Sequence, residues 1–256
     1  MINWHRLFGL TLDDYFSGTG YAVELEKDLA RKRQLLDVLI IRAPVSGSVR
    51  ALPDPCDGLE GLRAHNLLTY KSLHESLDAW AIEELIGHYV NYRKAFAPDV
   101  AAEAFGLYAV STRHPRALFE QVSPTKTRPG VYQLMVIGRV VTVIVPREVE
   151  RAPRNALWEL FSAEAERVAE GARDFHWQAA DHLPILNELY QHYRDAGLSM
   201  SYTFEDFRRD VARKMLPELP PEERLRGLQP EERLRGLSKE ELARLRALLD
   251  QYQPEG

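Results

Sequence analysis

The chain has one cysteine, Cys56, in 256 residues. That excludes an internal disulfide and a cysteine-built zinc cluster, and it points to a reducing compartment. No apolar run approaches the roughly 20 residues that a bilayer-crossing helix needs. The opening "MINWHRLFGLTLDD" lacks the basic start and apolar block of a secretory leader. A cytoplasmic protein of bacterial style, with no membrane contact, is expected. Positive charge is not in excess either: 33 Lys and Arg stand against 38 Asp and Glu, a formal net charge of -5. That argues against a protein that coats nucleic acid by bulk electrostatics, but it leaves room for a local basic groove. Also missing are a glycine-rich phosphate loop, a nucleophile elbow and any metal-ligand spacing among the eight histidines.

What is present is ordinary for a globular chain, with 45% hydrophobic and 28% charged residues. The length suits one substantial core with an appendage, or two small domains. Apolar positions in 3–16 fit a short helix. "YAVELEKDL" alternates, with Val23 and Leu25 on one side and Glu24 and Glu26 on the other, as a strand with one wet face does. After the basic turn "ARKRQ", a solvated hairpin tip or a phosphate-gripping one, "QLLDVLII" is apolar on both faces except at Asp37. Such a strand is covered on two sides. Pro44 to Gly61 reads as a surface loop, and "HNLLTYKS" as a third strand. From Leu77 the spacing of Ala79, Ile82, Leu85, Ile86, Tyr89 and Tyr92 predicts an amphipathic helix. "FGLYAVST" is a fourth strand, and "GVYQLMVIGRVVTVIVP" a hairpin turning near Gly138. Trp80 and Trp158 read as core residues.

After Pro153 the pattern turns helical, through "NALWELF", "HLPILNELYQHYRDAG" and "TFEDFRRDVARKML". Thr203 and Asp206 resemble a capping box, and Gly197 ends the helix before it. The tail repeats "PPEERLRGL", "QPEERLRGL" and "SKEELARLR" at a nine-residue period. Nine residues make about 2.5 helical turns, so each copy is expected as its own capped turn, with the last running on. A solvated tail and a docking element both fit. Three regions result: an α/β domain over 1–150, a helical extension over 151–215 and the repeat tail over 216–256.

Asp37 and Lys71 are charges placed in apolar strands. A buried carboxylate costs several kcal/mol unless it is paired or binds a metal, and a salt bridge between these two at a sheet edge is the plainer outcome. Thr69 and Lys71, two apart, project from the same face of their strand. If the Asp37 strand lies alongside, polar groups converge where neighbouring strands end. Glu24 or Glu26 of the first strand could join them, Glu24 by preference because a turn of suitable length pairs it with Asp37. Asp13 and Asp14 are weaker substitutes. Carboxylates with a lysine are what metal-assisted phosphodiester hydrolysis uses: oxygens hold a hard cation, the cation acidifies water, and the amine offsets developing charge. His88 and Tyr92, one helical turn apart with Glu84 a turn earlier, could line a groove beside them or simply tip a packed helix face.

An aspartate in an apolar strand, a loop, then an apolar strand ending in lysine before a helix resembles the PD-(D/E)xK nuclease superfamily. The frame "QLLDVLII…HNLLTYKS…LDAWAIEELIGHYVNYRK" resembles in particular its branch of recombination-promoting nucleases and transposase-like proteins, as do the tandem "PEERLRGL" copies. The resemblance implies a restriction-endonuclease-like αβββαβ core with a mixed sheet, DNA as substrate and Mg2+ or Mn2+ as cofactor. By position, Asp37 matches the metal-binding aspartate and Lys71 the lysine of the (D/E)xK element. The acidic position of that element is Thr69 here, whose hydroxyl supplies no negative charge. Two functions stay open. One is a metal-dependent deoxyribonuclease with Asp37 and Glu24 on the metal and Lys71 assisting the water. A homodimer would suit it for cutting both strands of a duplex. The other is a catalytically impaired module that binds nucleic acid or a protein through its helical tail.

Overall fold

Alternation and covered apolar runs become one mixed sheet in the computed structural model, which describes residues 4–28, 35–43, 54–177, 183–198 and parts of 205–251. The chain opens with α1 (Trp4–Phe16), followed by β1 (Tyr21–Asp28), β2 (Leu35–Arg42) and β3 (His65–Lys71). Helix α2 (Ala79–Phe96) leads to β4 (Phe105–Ser111), α3 (Arg116–Gln121), β5 (Thr125–Arg128), β6 (Val131–Val136) and β7 (Arg139–Ile144). Seven strands form one sheet in the order β1-β2-β3-β4-β7-β6-β5. The first three pair antiparallel, β4 is parallel to both β3 and β7, and β7, β6 and β5 pair antiparallel. Helices α4 (Ala156–Leu160), α5 (Ala165–Asp174) and α6 (Leu183–Asp195) complete a compact unit spanning 1–207. The architecture is therefore α/β with a mixed sheet and helices toward the C-terminus.

Both faces of the central strands are covered. Asn66 through Tyr70 are five consecutive buried residues of β3, which explains a run with no wet face. On one face, Leu39, Leu67, Leu107, Val141 and Val143 meet Ile82, Leu85, Tyr89 and Tyr92 of α2. On the other, Phe8 of α1 stacks on Tyr70 at a ring-centroid distance of 4.4 Å, and Phe161 closes edge-on against both. Gly9 lets α1 lie that close: a Cβ there would sit 2.4 Å from Leu25 Cδ2. Helix α2 starts at Ala79, two residues after the Leu77 expected from the sequence. The Asp78 side chain accepts from Ala81 N at 2.9 Å as its N-cap.

One local expectation needs correction. Trp158 is fully buried, but Trp80 is 67% exposed. It lies in the first turn of α2, away from the side on which Ala81, Ile82 and Leu85 are buried. The exposed strand β5 and the helix α5 were not apparent from periodicity, and neither was α3. The hairpin between β6 and β7 turns at Ile137 and Gly138, both at positive φ (48° and 68°), the backbone a two-residue turn between twisted strands requires. The "ARKRQ" turn and Thr203 lie outside the described residues.

The chain beyond 207 forms a second unit. It holds α7 (Pro221–Arg224), α8 (Pro230–Leu234) and α9 (Lys239–Gln251). Glu232 Oε2 accepts from Gln229 N at 2.9 Å and Glu241 Oε2 from Ser238 N at 2.8 Å. In these two repeats the Glu three residues past the cap thus satisfies an amide that the helix leaves orphaned.

Candidate functional site

Antiparallel pairing of β2 with β3 brings the start of one strand to the end of the other, so Asp37 and Lys71 meet at one end of the sheet. The register pairs Val38 with Leu68 and Leu39 with Leu67, which puts Asp37, Thr69 and Lys71 on the α2 face. Thr69 Oγ1 donates to Asp37 Oδ2 at 2.9 Å, and Tyr70 N donates to the same oxygen at 2.8 Å. No ion pair joins Lys71 to Asp37 among the described residues. The other oxygen, Oδ1, lies 2.9 Å from His5 Nδ1 at the start of α1.

His5 then reaches further. Its Nε2 is 3.3 Å from Glu75 Oε1 in the loop after β3. Glu75 Oε2 accepts from Ser72 N at 3.1 Å and from Ser72 Oγ at 2.7 Å. All four oxygens of the two carboxylates therefore have partners. Hydrogen bonds to Asp37 and Glu75 outweigh burial and raise the imidazole to about 10, so His5 is a cation at neutral pH. The His5 contact, and with it Ser72, holds Glu75 down at about 2 despite the opposing pull of burial. Two anions and one cation, with hydroxyl and amide donors on the free oxygens, make a closed clasp across α1, β2, β3 and the following loop. Sequence reasoning missed His5 and Glu75. The spacing of Ser72 and Glu75 carries the S-x-x-E pattern that would have marked the second of them.

The remaining predicted groups distribute around the clasp. Glu24 pairs with Leu39, not with Asp37. The pairs Leu25–Val38 and Lys27–Leu36 bracket Glu26 and Asp37 instead. A shift of two residues keeps Glu24 on the Asp37 face, further along α2, where its carboxylate joins burial in raising the Tyr92 phenol. Asp13 and Asp14 sit on α1 more than two turns beyond His5. His88 is lowered by burial, with Asp37 and Glu84 opposing and Lys71 adding to the effect. Asp37, Lys71 and Glu84 are therefore each within electrostatic reach of His88.

A hard divalent cation needs several oxygen ligands around one point. Among the described residues, no group of three or more His, Cys, Asp or Glu is arranged to hold a metal. Asp37 has both oxygens engaged, one by an imidazolium, and Thr69 stands at the second acidic position. A cation at Asp37 would have to displace His5, so the donor set does not fit Mg2+ or Mn2+ in this arrangement.

A cleft of about 500 Å³ opens at the carboxyl ends of β3 and β4, lined by Ser76, Asp78, Ser111, Arg113, Arg116 and Arg147, among others. Ser111 is the register partner of Lys71, so the cleft adjoins the lysine. Arg147 is paired with Glu164 at 3.0 Å. Arg113 and Arg116 are exposed, with no carboxylate in ion-pair range among the described residues. The lining also holds the carboxylates Asp78 and Glu120, so in a chain of net charge -5 the cleft offers two unpaired guanidinium groups and no broad positive field. Among the described residues no helix is long and apolar enough to cross a membrane. Comparison of the chain with protein-family models, curated proteins and solved structures finds no match.

Proposed function

We propose that this chain is a nucleic-acid-binding module on a restriction-endonuclease-like core, in which Asp37 anchors structure instead of holding a metal. The order α1, β1, β2, β3, α2, β4, with β4 parallel to β3, supports that core. The observation that carries the reading is the clasp: Asp37 Oδ2 and Glu75 Oε2 accept from hydroxyl and amide donors, and Asp37 Oδ1 and Glu75 Oε1 each lie within 3.3 Å of a His5 ring nitrogen. Lys71, Arg113 and Arg116 remain as cations, and guanidinium groups beside a lysine suit the phosphate backbone. DNA is the partner tested first.

Hydrolysis is the second reading, favoured by one observation: Asp37, Thr69 and Lys71 share a face, with His88 close by. One experiment separates the two. Supercoiled plasmid is incubated with parent protein, Asp37→Ala and Lys71→Ala in Mg2+ or Mn2+, and binding of labelled DNA is followed by anisotropy over a salt series. The binding module retains DNA with an affinity that falls steeply as salt rises, and does not nick it. Nicking by the parent that both substitutions abolish would overturn the proposal and restore the nuclease.

A further inference from the structure

Of the four tryptophans, Trp4 and Trp158 are buried and Trp177 is half-buried. Trp80 alone among them presents most of its ring to solvent, at 67% exposure. Its backbone is fixed at the start of α2 by the Asp78 cap, and Asp78 also lines the arginine-bearing cleft. Trp80 follows two residues later. Trp80, Glu84 and His88 recur at four-residue spacing, so they form one stripe of the helix. His88 on that stripe is in electrostatic reach of Lys71. An exposed indole thus stands two residues beyond Asp78, which lines the cleft that holds Arg113 and Arg116.

We infer that this surface takes single-stranded nucleic acid, one base stacked on Trp80 and the neighbouring phosphates on Arg113 and Arg116. The inference rests on the nucleic-acid-binding reading above and narrows it to a substrate class. A duplex keeps its bases stacked inside and shows a helix surface only groove edges and phosphates. A single strand offers free π faces, and a fixed aromatic beside cations is the platform that binds them without regard to sequence. Glu83 and Glu84 follow Trp80 within the same turn. Phosphates flanking a base stacked on Trp80 are therefore drawn to the side of Arg113 and Arg116 and away from these carboxylates.

The test uses the full chain with a fluorescently labelled oligothymidylate of twenty nucleotides and a duplex of equal length. Tryptophan emission of the parent is compared with that of Trp80→Phe to isolate the Trp80 signal. The expected result is single-strand binding at least about tenfold tighter than duplex binding. Trp80 emission is quenched on titration, and Trp80→Ala loses about tenfold in affinity with an unchanged melting midpoint. Arg113→Gln with Arg116→Gln weakens binding and makes the logarithmic salt slope shallower by about 1.4, two phosphate contacts on a single strand. Single-strand binding without Trp80 quenching, or duplex binding as tight, overturns this inference while leaving the broader reading in place. Absence of binding to either oligonucleotide ends both. A Trp80 ring shielded from acrylamide in the free protein by self-association would also overturn it, and would make α2 a protein contact.

Discussion

At the scale of single residues, the His5 clasp has a pH signature. The folded state raises His5 from 6.5 to about 10. Its contribution is complete below pH 6.5, where the unfolded imidazole is also charged, and is lost as pH rises through about 10. Glu75 is lowered from 4.5 to about 2, so its contribution is complete above pH 4.5 and is lost as pH falls through about 2. Both are whole between about 4.5 and 6.5. His5→Gln should therefore destabilise most in that window, by roughly 2 kcal/mol for lost charged hydrogen bonds, and much less above pH 10. Urea melts of parent and variant across pH check this; a difference that does not change with pH would remove the ion-pair account. Glu159 behaves oppositely. It is 2% exposed, and burial, with Glu170 and Asp174 adding, pushes its carboxyl up to about 7. An acid raised in the folded state favours folding below its unfolded value of 4.5 and loses that advantage as pH climbs through 7. Glu159→Gln should abolish a fall in stability on the order of 2 kcal/mol between those limits. Melts of the parent that show no such fall relative to the variant would refute it.

Residues differ in how readily they show in a sequence. Asp37 and Lys71 are conspicuous because each interrupts an apolar run, and the face they share follows from strand parity. His5 sits on another element, and nothing local says that α1 starts over the β2–β3 strand ends. Glu24 illustrates a different gap. Its face was legible from alternation, but its register was not, because turn length between β1 and β2 leaves a two-residue ambiguity that only packing resolves.

At the scale of elements, the same logic explains what periodicity found and missed. Strands β2, β3 and β4 are nearly continuous apolar runs, and α2 carries a wide apolar stripe. Strand β5 is "TKTR", exposed at every position, and exists through its pairing with β6. Helix α5, "AERVAEGARD", buries Arg167, Ala169, Gly171 and Ala172 along with Val168. Arg167 is satisfied there by the carbonyls of Pro146 and Val149. Gly171 is there because α4 lies against it: a Cβ would stand 2.8 Å from both Ala156 O and Leu160 N. Helix propensity alone would make Gly171→Ala stabilising by about 1 kcal/mol. Those contacts are with backbone, which yields little, and overpacking of this kind costs typically about 1–3 kcal/mol. The variant should be destabilised on balance, as read by its urea midpoint; a higher midpoint would show that α4 and α5 separate at little cost.

At the scale of the whole molecule, the division near residue 207 carries a consequence for folding. The buried apolar core of the described chain runs from Trp4 to Tyr193, and no described residue beyond 207 is buried. The tail supplies its own local order instead. Its helices are short, start at Pro or a capping Ser or Gln, and leave Leu234, Leu242, Leu245 and Leu248 between 38% and 59% exposed. Isolated helices of this length are marginal in water, and the described tail residues bring no buried apolar side chain of their own. A chain ending at 207 should therefore keep the parent's main thermal transition to within about 4 °C, corresponding to about 1 kcal/mol for a domain of this size, while losing far-ultraviolet helix signal. Calorimetry and circular dichroism on the two lengths decide it. A shortened chain that melts far lower would mean that the nine-residue repeats cover part of the α/β unit, and the exposed leucines would then be the first contacts to substitute.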